Sequence, residues 1–204
     1  MINITDISID KIIGGEFQKE IPELYELKNI FENNSWRHET TFEHTISALS
    51  EYEKITSARQ IDWLDAKINN NSKKSLLRIA ILLHDISKND TMLTADDKTN
   101  SFPNHEEKGA IEAKNILERF KLGEDEKNFI ISIIKNHGHP HEILRNREEC
   151  DQALDDLKIK IPNIYNETIL LAMVDIMVSK LKKLNNREAY DFRISKCKNI
   201  LKFI

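Results

Sequence analysis

The sequence predicts an all-α chain, a single irregular helical bundle with its functional site between helices. Two observations predict it. Five glycines and four prolines in 204 residues are few, which favours long helices over a turn-rich β architecture. In addition, apolar residues recur at helical spacing in segment after segment, and three of the most apolar stripes run straight into, or around, a histidine or an aspartate.

Residues 1–35 read as an N-terminal helical extension. Gly14-Gly15 breaks it, and Pro22 is suited to open a helix through Leu24, Leu27 and Ile30-Phe31. Asn33-Asn34-Ser35 ends that helix, and 36–41 reads as a loop into the next. Phe42, Ile46 and Leu49 then mark a helix with His44 in its first turns. Residues 51–71 are polar and end in Asn69-Asn70-Asn71. Ser72 is a candidate N-cap for the helix that follows.

That helix carries the apolar run Leu76 to Leu83, broken only by Arg78, and ends in Leu82-Leu83-His84-Asp85-Ile86-Ser87-Lys88. Ala80 and Ile81, four and three residues before His84, share its face. An imidazole and a carboxylate are thus carried to the edge of a buried helix, which is unfavourable unless something pairs with them. A divalent metal ion is one such partner. Residues 89–104 read as a long polar loop, with Pro103 near its end. From His105 a helix runs through Ala110, Ala113, Ile116 and Phe120, with Gly123 closing it and Gly109 leaving open space one turn above His105. Phe129, Ile130, Ile133 and Ile134 form a stripe that leads to His137, where Gly138 and Pro140 stop the helix. Residues 141–163 are mostly polar, a short helix and a loop ended by Pro162. The span 163–184 is the most apolar helix, and Asp175 lies on the same face as Leu171, Ala172 and Val178. A last helix over 187–203 is expected to pack on the outside.

The formal charge of −4 argues against broad binding to nucleic-acid backbones, although not against a small phosphorylated substrate. Cys150 and Cys197 are far apart in sequence, so structural zinc of the Cys-x-x-Cys type is not expected, and both read as reduced thiols. No signal peptide or membrane-spanning run is visible, which sets the expectation of a cytoplasmic chain without membrane partners.

The order His44, His84-Asp85, His105, His137, Asp175 resembles the HD-domain superfamily of metal-dependent phosphohydrolases, with Ser87 where glycine is more usual. The stretch from Ser101 to Ala110, with Pro103, Asn104 and His105 at its centre, resembles more specifically the HD domains of bacterial tRNA nucleotidyltransferases and poly(A) polymerase-like proteins. The resemblance covers roughly residues 36–184, an HD-type core, leaving 1–35 as an extension and 185–204 as a helix packed on it. It implies six metal ligands: His44, His84, Asp85, His105, His137 and Asp175. One or two divalent ions are implied, from Mn, Fe, Co, Ni, Zn or Mg.

With two ions, His44, His84 and Asp175 would hold the first, His105 and His137 the second, and Asp85 would bridge. With one, His105 and His137 would line the substrate pocket instead. Asp85 and Lys88 are the catalytic candidates, Lys88 as a cation for a phosphate oxygen, and Glu106 could orient a ligand. His38, His139 and His141 fit no slot and read as rim or surface residues. Lys182-Lys183 reads as a solvated helix end. The expected activity is hydrolysis of a phosphate mono- or diester, a nucleotide or a related compound, by water activated on the metal. The rival readings are a di-iron oxygenase with the same ligands and a binding module without activity.

Overall fold

A computed structural model describes residues 1–31, 39–179 and 186–203. Among these the chain is helical, with two short hairpins. Helix α1 (Ile9–Ile13) and α2 (Pro22–Glu26) open it, separated by Gly15 at a positive φ of 82°. Pro22 stands at the first turn of α2, where its missing N–H leaves nothing unsatisfied. The chain continues through α3 (Thr41–Ala58), α4 (Asp62–Asp65) and the hairpin β1 (Lys67–Ile68) to β2 (Asn71–Ser72). Next come α5 (Lys73–Leu83), α6 (Lys88–Thr91) and the hairpin β3 (Leu93–Thr94) to β4 (Asn100–Ser101). Helices α7 (His105–Leu117), α8 (Glu124–Asn136), α9 (Gly138–Ile143), α10 (Cys150–Lys160), α11 (Tyr165–Val178) and α12 (Arg187–Leu201) complete the order.

The most apolar helix is the central one. From Thr168 to Val174 every residue of α11 is buried, as a helix apolar on all sides must be. It packs against α12, α3 and α9, while α5 lies between α3 and α8. The last five residues of α5, Ile79 to Leu83, are buried with it, as is His84 just beyond. Apolar residues of the first thirty positions, among them Ile4, Ile12, Leu24 and Leu27, join this same core, as do Ile194 and Leu201 of α12. Truncating one such buried leucine to alanine removes about 2–5 kcal/mol of stability.

Several expectations are revised. The polar stretch 89–104 is not a plain loop: a helical turn and a hairpin occupy most of it, with Lys98 at the tip in the left-handed region. The first hairpin turns on Asn69-Asn70 before Ser72 caps α5, its hydroxyl accepting from the Ser75 N–H at 3.2 Å. Gly123 does not close α7, which ends at Leu117; it precedes α8, donating its N–H to Glu126 Oε2 at 2.7 Å. Helix α8 does stop before Gly138, at Asn136, but the chain re-enters a helix at once, and Pro140 sits in the first turn of α9. Helix α11 is shorter than the apolar span suggests and ends at Val178.

The expected boundaries at 35/36 and 184/185, and the readings of His38, Asn33 to Ser35 and Lys182-Lys183, lie outside the described residues. Both cysteines are free thiols, and burial pushes Cys197 up to about 12. No helix among the described residues is long and apolar enough to cross a membrane.

Candidate metal centre

Three helices run in the same direction and end at one place. The start of α5 meets the start of α8 through Asn71 and Glu126, and the start of α11 through Lys73 and Glu167. Their other ends carry His84, His137 and Asp175. The C-terminal, electronegative ends of three helix dipoles therefore converge where cations would sit. Helices α3 and α7 bring their first turns to the same place, with His44 and His105.

Local chemistry sets each side chain. Thr40 and Glu43 form a reciprocal capping box at the start of α3: the Glu43 N–H donates to Thr40 Oγ1 at 3.2 Å, and the Thr40 N–H donates to Glu43 Oε2 at 2.8 Å. His44 follows directly and is fully buried. His84 continues the helical conformation past α5, and the turn behind it is closed by the Ile86 N–H on Leu83 O and the Lys88 N–H on Asp85 O. Asn104, left-handed at φ 58°, turns the chain into α7, a conformation asparagine adopts more readily than most residues. The Ser87 hydroxyl donates to His105 O at 2.8 Å and so clips the two segments together.

Space above His105 is not open as expected. A Cβ at Gly109 would lie 3.4 Å from Ser87 Oγ and 3.5 Å from Ile134 Cγ2, so the glycine lets α7 approach the His84–Ser87 turn and α8 closely. Gly138 makes room in another way, since the Glu106 carboxylate fills the place its side chain would take.

Two groups of potential ligands result: His44, His84 and Asp175, and Asp85, His105 and His137. Within each group, ligand atoms lie within 4.8 Å of one another. His44 Nε2 is 2.5 Å from Asp175 Oδ1. Asp85 faces both groups, with Oδ2 3.1 Å from His84 Nε2, and Oδ1 3.6 Å from His105 Nε2 and 3.8 Å from His137 Nε2. All six residues expected from the sequence are thus brought together. Lys88 is buried, 2.9 Å from Asp85 Oδ2, with its ammonium over the Phe102 ring at 5.2 Å.

Three of the histidines share one device. Nδ1 of His84, His105 and His137 lies 2.7, 2.8 and 2.7 Å from the carbonyl three residues earlier, on Ile81, Phe102 and Ile134. A carbonyl only accepts, so Nδ1 carries the proton, and in the neutral ring Nε2 keeps a lone pair turned toward Asp85. That is the tautomer and orientation a metal ligand needs, fixed in advance. With an all nitrogen and oxygen donor set, the residues fit a divalent ion of the first transition row, or Mg²⁺.

Charge is balanced inside this cluster. Burial alone would raise the Asp85 carboxyl, but His84 and Lys88 outweigh it and hold it well below the usual range. Burial would lower His84, yet Asp85 raises it. Burial, with His84 and His105 alongside, pushes His137 well below an ordinary imidazole.

The centre opens into a cavity of about 250 Å³. Sequence reasoning missed part of its wall. His141 places Nε2 3.1 Å from Asp175 Oδ2, without the alignment of a hydrogen bond. Asn100 and Phe102 enter from the second hairpin and its exit, and Arg145 and Arg193 from beyond α9 and from α12. For His141 a signal existed: His137 and His141 are four apart, on one side of a helical segment. His139 fits the expected rim position, with a side chain 40% exposed.

A family model described as HD domain matches residues 41–175. A bifunctional uridylyltransferase/uridylyl-removing enzyme of Erythrobacter litoralis (strain HTCC2594) is 26% identical over 169 residues, 80% of this chain. The match spans only 17% of that much longer protein.

Proposed function

The chain belongs to the HD-domain family, a superfamily of metal-dependent phosphohydrolases, and we propose that it hydrolyses a phosphoester of a nucleotide or a related small molecule. The observation that carries this reading is the set of three Nδ1-locked imidazoles around one shared carboxylate. On this reading His44, His84 and Asp175 would hold one ion, and Asp85, His105 and His137 would hold a second. Bound divalent ions supply an acidified water for attack at phosphorus and offset the charge of the phosphate. Asp85 keeps its negative charge because His84 and Lys88 stabilise it, so it is available as a ligand at neutral pH. Lys88 is held between Asp85 and the Phe102 ring, where its ammonium can also take a phosphate oxygen and stabilise charge that builds up as the ester breaks. Glu106, 3.3 Å from His105 Nδ1, supports the orientation of that ring. The relative named above supports a nucleotidyl substrate, because removal of a uridylyl group breaks a phosphoester to a nucleotide.

Metal analysis with activity tests the reading. Protein saturated with Mn²⁺ or Co²⁺ is expected to hold about two ions per chain and to hydrolyse an aryl phosphodiester or a nucleotide phosphoester. Chelation should abolish this, and metal should restore it. His84→Ala or Asp175→Ala should strip the first ion and nearly all activity. His105→Ala or His137→Ala should leave about one ion, with a steep fall in rate. Hydrolysis that persists in thoroughly chelated protein would sink the mechanism. Oxygen uptake by an iron-loaded protein, without hydrolysis, would point to oxidation instead.

A further inference from the structure

Arg193 lies on α12 and Arg145 just beyond α9, and both line the cavity that holds the metal ligands. Arg193 is half-buried. Among the described residues neither guanidinium makes an ion pair or a hydrogen bond to a carboxylate. Four other described arginines pair with acids: Arg78 with Glu53, Arg119 with Glu23 through both of its terminal nitrogens, Arg147 with Glu188, and Arg187 with Asp191, while Arg59 lies over the Phe203 ring, outside this cavity. What Arg193 meets instead is positive. Burial first, and then Arg145 and Arg147, press it below the ordinary guanidinium range.

Two like charges crowded at the edge of a cavity, one of them partly desolvated, are unfavourable until an anion joins them. The acids of the same wall do not fill that role. Asp175 faces His44 and His141, and Glu142 is largely exposed, 4.0 Å from His139. The position is defined as well: Arg145 follows His141 by four residues, so it stands about one helical turn beyond the histidine that touches Asp175. Lys88 already serves the Asp85 side of the cavity.

We propose that Arg145 and Arg193 form a second anion subsite in this cavity, so that the substrate carries a further oxyanion, phosphate or carboxylate, besides the phosphoester that is cleaved. The substrate class rests on the phosphohydrolase reading above; the subsite itself does not. Guanidinium forks suit it, because each matches two oxygens of a phosphate or carboxylate at once. A simple monoester would then occupy the metal end and leave the arginine end unused.

Equilibrium binding tests this with ligand pairs that differ in a single anion. Adenosine 3′,5′-bisphosphate is set against adenosine 5′-monophosphate, and 3-phosphoglycerate against glycerol 3-phosphate. Each is titrated by calorimetry into metal-stripped and Mn²⁺-loaded protein. The parent is expected to prefer the doubly anionic member of at least one pair by about tenfold or more. That preference should shrink in Arg193→Gln and Arg145→Gln and vanish in the double variant. Arg147→Gln removes a neighbouring charge that does not line the cavity, and it should keep the preference.

A preference confined to the nucleotide pair names a second phosphate, and one confined to the glycerate pair names a carboxylate. Either supports the subsite. No preference in the parent for either pair would overturn it. So would a preference that survives the double substitution, or one that Arg147→Gln removes equally. A parent with an arginine-dependent preference that hydrolyses nothing would defeat the phosphohydrolase reading and leave the subsite standing. Hydrolysis without the preference would do the reverse.

Discussion

At the scale of single residues, charge is settled in pairs and small groups, and one carboxyl outside the centre is settled badly. Glu112 on α7 is half-buried, and burial, followed by Asp90, Glu23 and Glu26, pushes its carboxyl up from 4.5 to about 7. The Arg119 guanidinium opposes this rise, but it is already engaged with Glu23. Between those two pH values the folded chain holds a proton that the unfolded chain has released, so stability falls as pH rises through this window and is level above it. The whole shift would correspond to roughly 3 kcal/mol; solvent screening of a half-exposed group brings the expectation to about 1 kcal/mol. Glu112→Gln should therefore stabilise the protein at pH 8 and give no gain at pH 4.5, as read by denaturant melts. An equal change at both values would disprove the account.

The six candidate ligands were legible in the sequence at this same scale. His84, Asp85, His137 and Asp175 interrupt or end apolar stripes, where a polar side chain calls for a partner, whereas His44 and His105 were legible only through their order along the chain and the family resemblance. Arg145 and Arg193 were not legible, because they lie in polar segments that nothing local distinguishes. Only the packing of both α12 and α9 against α11 brings them to the cavity.

At the scale of elements, helices could be read and hairpins could not. A strand of two residues has no period to detect, and the Asn69-Asn70 and Asp97-Lys98 turns look like any other polar run. The second hairpin and its exit border the cavity, through Asn100 and Phe102. Asn100 holds it in two ways: its Oδ1 accepts from Thr94 Oγ1 at 2.8 Å, and its Nδ2 donates to Phe31 O at 2.8 Å. Both bonds are exposed, so each contributes only about 0.5–1 kcal/mol. Asn100→Ala should loosen the hairpin without unfolding the chain. The expected result is faster amide exchange over 93–101, a KM raised a few-fold and a melting temperature within a few degrees of the parent. A large fall in melting temperature with unchanged KM would mean that the hairpin supports the fold and not the site.

At the scale of the whole molecule, α5, α8 and α11 have two differently built ends. At their starts Glu126 is buried and accepts four hydrogen bonds: from the N–H groups of Asn70 and Asn71, from Asn71 Nδ2 and from the Gly123 N–H. Lys73 adds an ion pair to the buried Glu167 at 2.9 Å and lies over the Phe129 ring. At their far ends stand His84, His137 and Asp175, roughly 16 Å away along α5. Glu126→Ala leaves backbone donors unsatisfied and should cost about 3 kcal/mol or more. Asp175→Asn and His137→Gln keep nearly the original volume and should shift the metal-free protein by less than about 1 kcal/mol. Denaturant melts of the three variants in chelator check this. The division fails if the two ligand variants prove as damaging as Glu126→Ala.

Such a layout bears on how this chain can evolve. The joints that keep three helices in register are spent at one end, and the chemistry is carried at the other. Substitutions that retune the cavity, change its metal or silence it altogether meet little resistance from folding. On this layout a lineage could lose or regain the chemistry of the cavity without losing the fold, provided that Glu126, Lys73 and Glu167 hold.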